Sequence, residues 1–332
     1  EGLRAIFGEQ ARLIRPIIDF ALAEVRPDLD YYYLPAPVRS YAERKLPEGA
    51  IGAVGRRALK HYHSVADAYN DIILAGKDEL GVALFFAEFP NFEEFLAWGY
   101  AGETSDAEPP VCYSARITAL FRNAFIYLDP AGTQLPRYQT ALEAARRVGD
   151  QSGEANVLQA IGDVQNFRKE IDAALASYGE ALKLFRAVGD RLGEANVLQA
   201  IGDVQNFRDE RDAALASYGE ALKLFRAVGD RLGEANVFLS TGRMALQAGD
   251  DQHGIEWLEH AGKIYEEIGA QSGWANVRIA LAQHMAAKGN WQAAIDYMQP
   301  AADFGKRIRH PLGDQLQAQI DEWRQRMGVA DD

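Results

Sequence analysis

Residues 151–190 read QSGEANVLQAIGDVQNFRKEIDAALASYGEALKLFRAVGD, and residues 191–230 repeat them with changes only at Arg191, Leu192, Asp209 and Arg211. A fixed period of forty residues marks an architecture built from stacked, self-similar units. Two further copies have diverged: residues 231–270 begin RLGEANVFLSTGRMALQAGD, and residues 271–310 begin QSGWANVRIALAQHMAAKGN. A weaker copy at 111–150 ends in ALEAARRVGD. The two central copies point to a recent duplication, so their agreement is one observation. Independent information lies in the diverged copies.

Each copy reads as two helices. In the first, Ala155, Leu158, Ile161, Gly162 and Val164 fall at helical spacing. Arg168–Asp172 is a polar corner. A second helix runs from about Ala173 to Val188, with Ala174, Tyr178, Ala181, Leu182 and Phe185 on its apolar face. Gly189 suits the left-handed position after a helix, and Asp190 can cap the next one. Gly162 falls inside a helix, where glycine costs about 1 kcal/mol relative to alanine. That cost makes sense if the partner helix approaches closely there.

These residues resemble the tetratricopeptide repeat family. Its pattern places a small residue at Gly162, Ala at Ala174, an aromatic at Tyr178 and Ala at Ala181, and the set recurs as Gly202, Ala214, Tyr218 and Ala221. The third copy keeps Gly242 but has Gly254 and Leu258 at the later positions; the fourth has Ala282 and Met298. The family's usual period is 34, so six extra residues are expected to lengthen the second helix and its exit, Arg186–Asp190. The resemblance implies an all-α fold, a right-handed α-α superhelix over 111–310, closed by a capping helix in 311–332 with Leu316, Ile320 and Trp323 on one face.

Residues 1–46 do not follow the repeat. Gln10–Leu22 reads as helix, Ala23–Arg26 and Tyr31–Leu34 as two short strands around Pro27–Asp30, and Val38–Leu46 as helix again. This order resembles a winged-helix remnant. The stretch YYYLPAPVRSYAERKL, residues 31–46, is similar to the point where the winged helix of STAND-type (NB-ARC-like) signalling ATPases meets a helical superstructure. Leu34, Val38, Arg39 and Ala42 fit that pattern, and Pro35 stands where a nucleotide-sensing His is common. Such a hairpin would also fit as an insertion in an all-helical array. Residues 47–110 resemble the first helical pairs of that superstructure, with Asn91, Phe92 and Trp98 as points of match. The resemblance implies an ATPase module upstream of Glu1, since no G-x-x-x-x-G-K-[ST] occurs here. Thr104–Pro110 reads as a loop or hinge.

Composition narrows the function. Of 332 residues, 48% are hydrophobic and 25% charged, as in ordinary globular chains rather than disordered ones. The net charge is −13, split as −7 over residues 1–110 and −6 over 111–332, so neither half has the cationic surplus of a nucleic-acid binder. No window offers a membrane span, and residues 1–20 lack the basic, apolar and small-residue order of a secretory signal. The expected compartment is the cytoplasm, consistent with one cysteine, Cys112.

Catalytic chemistry finds no constellation. His61 and His63 are two apart and face different ways on a helix, and neither H-E-x-x-H nor G-x-S-x-G occurs. Cys112 has no evident basic partner and reads as a small buried hydrophobe. No metal, cofactor or catalytic residue is expected.

In the resembled family the first helix of each pair lines the inner surface. Register then places Asn156, Gln159, Asp163, Asn166 and Phe167 there, followed by Asn196, Gln199, Asp203, Asn206 and Phe207. The third copy gives Asn236, Leu239, Arg243, Leu246 and Gln247, and the fourth Asn276, Ile279, Gln283 and Ala286. The Asn recurs in all four. Its amide offers donor and acceptor together, which suits an extended peptide backbone or a small polar ligand. It also suits a bond to a neighbouring helix end, since each Asn falls in a first helical turn. Phe167 and Phe207 are expected to pack between helices. The family's clamp for a C-terminal carboxylate uses Lys and Arg, whereas Asp163 and Asp203 stand here, which argues against that mode. The reading is a non-catalytic sensor arm that binds a protein, peptide or small polar ligand, with a free-standing scaffold as the alternative.

Overall fold

The computed structural model describes residues 24–26, 31–33, 50–74, 78–105, 107–125, 134–307 and 311–328. Its described secondary structure is helical apart from two three-residue strands, β1 (Glu24–Arg26) and β2 (Tyr31–Tyr33), which pair antiparallel with Val25 opposite Tyr32. These strands fall within the expected strands Ala23–Arg26 and Tyr31–Leu34, but the flanking helices expected at Gln10–Leu22 and Val38–Leu46 lie outside the described residues, and a hairpin alone does not support a winged-helix remnant. The chain divides into two compact units, Glu1–Val188 and Gly189–Asp332.

The first unit contains α1 (Ala50–Leu74), α2 (Asp78–Gly102), α3 (Tyr113–Phe125), α4 (Leu135–Val148), α5 (Gln151–Phe167) and α6 (Ile171–Val188). An aromatic cluster joins α1, α2 and α3: Leu59, Phe85, Phe92, Leu96, Ile117 and Phe121 are buried, with Phe85 edge-on to Phe121 at 4.6 Å. Burying each such side chain contributes about 1.5–3 kcal/mol. The start of α3 is held by carboxylates from elsewhere in the unit. Buried Glu103 accepts from the Tyr113 and Ser114 amides at 2.7 and 3.0 Å. Buried Asp150 accepts from the Cys112 amide at 2.8 Å, and from Arg116 Nε at 2.7 Å and its second guanidinium nitrogen at 2.9 Å. Asp150 also caps α5 through the Gly153 amide at 2.9 Å. One carboxylate therefore satisfies orphan donors of two helix starts.

The second unit contains α7 (Arg191–Phe207), α8 (Arg211–Val228), α9 (Arg231–Gln247), α10 (Asp251–Ile268), α11 (Gln271–Ala287), α12 (Trp291–Arg307) and α13 (Pro311–Met327). Asp190 caps α7 as expected, accepting from the Gly193 amide at 2.9 Å, and Asp230 repeats this on Gly233 at 3.1 Å. Leu316, Ile320 and Trp323 of α13 are buried against Ala294, Met298 and Ala302 of α12.

In the two central copies the first helix has 17 residues and the second 18, so helix fills almost the whole period. The second helix starts at Ile171, two residues before the expected point, because the corner is tighter than the polar tract Arg168–Asp172 suggested. That corner demands a left-handed residue. Lys169 (φ 61°), Asp209 (φ 62°), Gly249 (φ 82°) and Gly289 (φ 76°) occupy it in successive copies, and the two non-glycine residues carry the strain that glycine avoids.

The glycine within each first helix has the packing reason expected of it. A Cβ on Gly162 would lie 2.5 Å from Tyr178 Cε1, and one on Gly202 would lie 2.6 Å from Tyr218 Cε1. Both tyrosines are buried, so each ring occupies the notch that the glycine leaves.

Candidate functional site

The polar residues of the first helices divide into those that fasten the repeat and those that face solvent. In α5, the Asn156 amide nitrogen donates to the Ser152 carbonyl one turn earlier at 2.8 Å. Gln159 is buried, which removes it from any ligand-contacting set: in place of an open surface it meets neighbouring side chains. Asp163 accepts from the Tyr178 hydroxyl at 2.7 Å and lies 3.6 Å from the Arg122 guanidinium. Burial raises its pKa above the usual carboxylate value, opposed by Arg122 and by the tyrosine hydrogen bond. Asn166 is half-buried. Beside it, Gln165 accepts from the Ser177 hydroxyl at 2.7 Å and ties the ends of the hairpin together.

The second unit repeats these fastenings. Tyr218 donates to Asp203 at 2.7 Å and Ser217 to Gln205 at 2.7 Å. Burial, then the charge of Asp203, pushes the Tyr218 pKa up, so the phenol remains a donor at neutral pH. Asn196, Gln199 and Asn206 are half-buried. In α9, Asn236 accepts from Tyr265 of α10 at 2.5 Å. Tyr265 stands where the earlier copies have Phe185 and Phe225, so this bond arose with divergence.

Solvent-facing groups collect on α9 and α11. Arg243 is exposed and donates to the Asn276 carbonyl at 3.3 Å. Desolvation lowers its pKa, offset by the charges of Tyr265 and Asp203 nearby. Asn276 and Gln283 are exposed. The structure thus brings Asp203, Arg243 and Asn276 together, whereas Asn156 and Asn236 are engaged with their own hairpins. The recurring Asn is not one column with one role.

Similarity to solved structures adds the fold's name. No family profile and no curated protein matches the chain at the level of sequence. In three dimensions it is similar to a signal-transduction ATPase with numerous domains (STAND) carrying a tetratricopeptide repeat sensor, from Pyrococcus horikoshii. That match has a TM-score of 0.52 and 15% identity, and covers 99% of this chain and 57% of that one. The fold is a tetratricopeptide-type repeat array. This chain therefore spans a little over half the length of that ATPase. The array is similar also to the apo form of RapI (TM-score 0.53, 12% identity, 86% of this chain and 90% of that). A Rap protein complexed with competence and sporulation factor matches with a TM-score of 0.52 and 11% identity, over 98% of this chain and 95% of that one.

One feature of the array differs from the sequence reading, and another agrees with it. Phe167 and Phe207 do not pack between helices; they are 57% and 64% exposed, because each closes the last turn of its helix just before the corner. Cys112 is fully buried and its thiol pKa is pushed up to about 12, by burial first and then by the charge of Glu103. Among the described residues no group of His, Cys, Asp and Glu could hold a metal ion, and no helix is long and apolar enough to cross a membrane.

Proposed function

We propose that this repeat array is a non-catalytic binding arm that recognises a protein or extended peptide through its first helices, coiled as a right-handed superhelix. In the full protein this arm biases an upstream STAND-type ATPase between closed and open states. The observation that carries the reading is the match of 99% of this chain to an ATPase described as having a tetratricopeptide repeat sensor. In the second unit the contact set is Asn196, Gln199, Asp203, Asn206, Arg243, Asn276 and Gln283, with Phe207 as an apolar anchor at a helix end; Asn166 and Phe167 hold the matching positions of the first unit. A small polar ligand on the same surface is compatible with this set. Asn156, Gln159, Asp163 and Asn236 support the surface from within. The compartment that fits such an arm is the cytoplasm.

A second reading, a free-standing scaffold, is favoured by one observation. The Rap match is nearly end to end on both sides, and that protein is described in complex with a factor.

The test is selection from a displayed peptide library against the whole chain, with enriched peptides measured by calorimetry. Binding is expected to fall at least about tenfold, or 1.4 kcal/mol, in the combined variant Arg243→Ala, Gln283→Ala, Phe207→Ala. Equal affinity in that variant would refute the surface assignment. The full-length reading frame then separates the two readings: a phosphate-binding Walker A motif upstream of Glu1 supports the sensor arm, and its lack leaves the scaffold.

A further inference from the structure

Compared column by column, the repeat departs from its pattern at the junction of copies 231–270 and 271–310. The second helix of every earlier copy carries a leucine at one column: Leu142, Leu182 and Leu222. The next position in that series is Gly262. Two of the earlier junctions carry an ion pair, Arg146 to Glu154 at 2.7 Å and Arg226 to Glu234 at 2.8 Å. Here the same two positions hold Glu266 and Trp274, so no such pair forms.

Where the leucine is missing, Gly262 lines a partly open cavity of about 320 Å³ at the meeting of α10, α11 and α12. That is the lower end of the volume of small-molecule sites, about 300–1,000 Å³. Its apolar wall is Val277 and Leu281, both buried, with Trp274 and Tyr297 beside them. Arg278 stands over the Trp274 ring at 4.8 Å and the Tyr297 ring at 5.8 Å. Glu259 and Glu266 line the opposite side from α10, with Lys263 between them. Among the described residues none of Arg278, Glu259 and Glu266 carries an ion pair. Opposite charges border one small cavity and are not spent on each other.

We propose that this cavity binds a free apolar α-amino acid. Its carboxylate meets the guanidinium of Arg278, which the two rings hold in place and whose planar fork suits a carboxylate. Its ammonium meets Glu259 or Glu266, and its side chain lies on Trp274, Val277 and Leu281. A chain terminus would carry only one of the two charges at this spot. The site is separate from the surface proposed to bind protein, and its test needs neither the displayed peptide library nor an ATPase.

Isothermal calorimetry of the whole chain with L-leucine and L-phenylalanine is expected to give saturable binding at or below about 1 mM, or 4.1 kcal/mol. N-acetyl-L-phenylalanine and L-phenylalaninamide, each lacking one charge, are expected to bind at least about tenfold more weakly. Gly262→Leu restores the residue of the earlier copies and fills the cavity. A Cβ there meets only Val277 Cγ1 at 3.4 Å, so the variant should fold, and binding should be lost. Arg278→Leu places the residue of Leu158 and Leu198 at this column and should abolish binding while thermal unfolding stays cooperative. Lack of saturable binding by either amino acid, or unchanged affinity in both variants, overturns the proposal. Tighter binding of a dipeptide or of the singly charged analogues overturns the assignment of a free amino acid.

Discussion

Replacing Gly162 by Ala and Gly179 by Ala makes the same chemical change in two helices of one copy, and the structure predicts opposite outcomes. Both glycines are helical, so each substitution gains about 0.5–1 kcal/mol from backbone entropy. At Gly179 the new methyl meets nothing within 4 Å, and that gain stands alone. At Gly162 the methyl would lie 2.5 Å from Tyr178 Cε1 and 2.6 Å from Cδ1. To reach ordinary contact the ring must retreat by about 1 Å, in a site where it is almost fully buried. Overpacking of this kind costs about 1–3 kcal/mol. The retreat also strains the 2.7 Å hydrogen bond to Asp163, worth about another 1 kcal/mol. The net expectation for Gly162→Ala is a loss of about 1–3 kcal/mol. The duplication supplies a replicate: Gly202→Ala should lose and Gly219→Ala should gain by similar amounts, since the Gly202 methyl would meet Tyr218 at 2.6 Å and the Gly219 methyl meets nothing. Urea unfolding followed by far-ultraviolet circular dichroism measures all four midpoints. If Gly162→Ala and Gly202→Ala raise the midpoint as their partners do, the tyrosine does not fill the glycine notch and the packing described above is wrong.

Lys169→Gly should stabilise the chain by about 1 kcal/mol in the same assay, and Asp209→Gly by less, because aspartate tolerates left-handed backbone better than lysine. Asp150→Ala should cost about 3–5 kcal/mol, since it strands Arg116 and two helix-start amides, against about 1 kcal/mol for Asp190→Ala, which loses a single cap. Asp163 has a raised pKa in the folded state, so the folded chain binds more protons, and stability conferred by its neutral form is lost as pH rises above the unfolded value of 3.8 through the folded one. Asp163→Asn keeps an acceptor for Tyr178, so its stability relative to wild type should improve as pH rises through that window. A pH series of thermal melts checks this, and a difference independent of pH would refute it.

What was legible in the sequence was what repeats. The forty-residue period, the helix pair, the glycine beside the aromatic ring and the Asp190 cap all follow from local chemistry seen several times over. What was not legible depends on partners far along the chain. Register assigns Asn156 and Asn236 to one face, yet Asn156 bonds its own helix while Asn236 bonds Tyr265, a residue that replaces phenylalanine only in that copy. Phe167 looked like packing because it is apolar, and only the position of the helix end decides that it closes the last turn and stays exposed. The cavity beside Gly262 was present in the sequence as one broken column, Leu142, Leu182, Leu222, Gly262, but a missing side chain announces a void only once the surrounding helices are in place.

The hydrogen bonds that fasten a hairpin, tyrosine to aspartate and serine to glutamine, close within a single forty-residue copy. Loss or gain of one whole copy therefore leaves no such donor or acceptor stranded, and it rejoins the chain at the same Val-Gly-Asp text. Copy number can drift by unequal exchange with little thermodynamic penalty, so the length of the array is open to adjustment in steps of one hairpin while each step remains chemically complete.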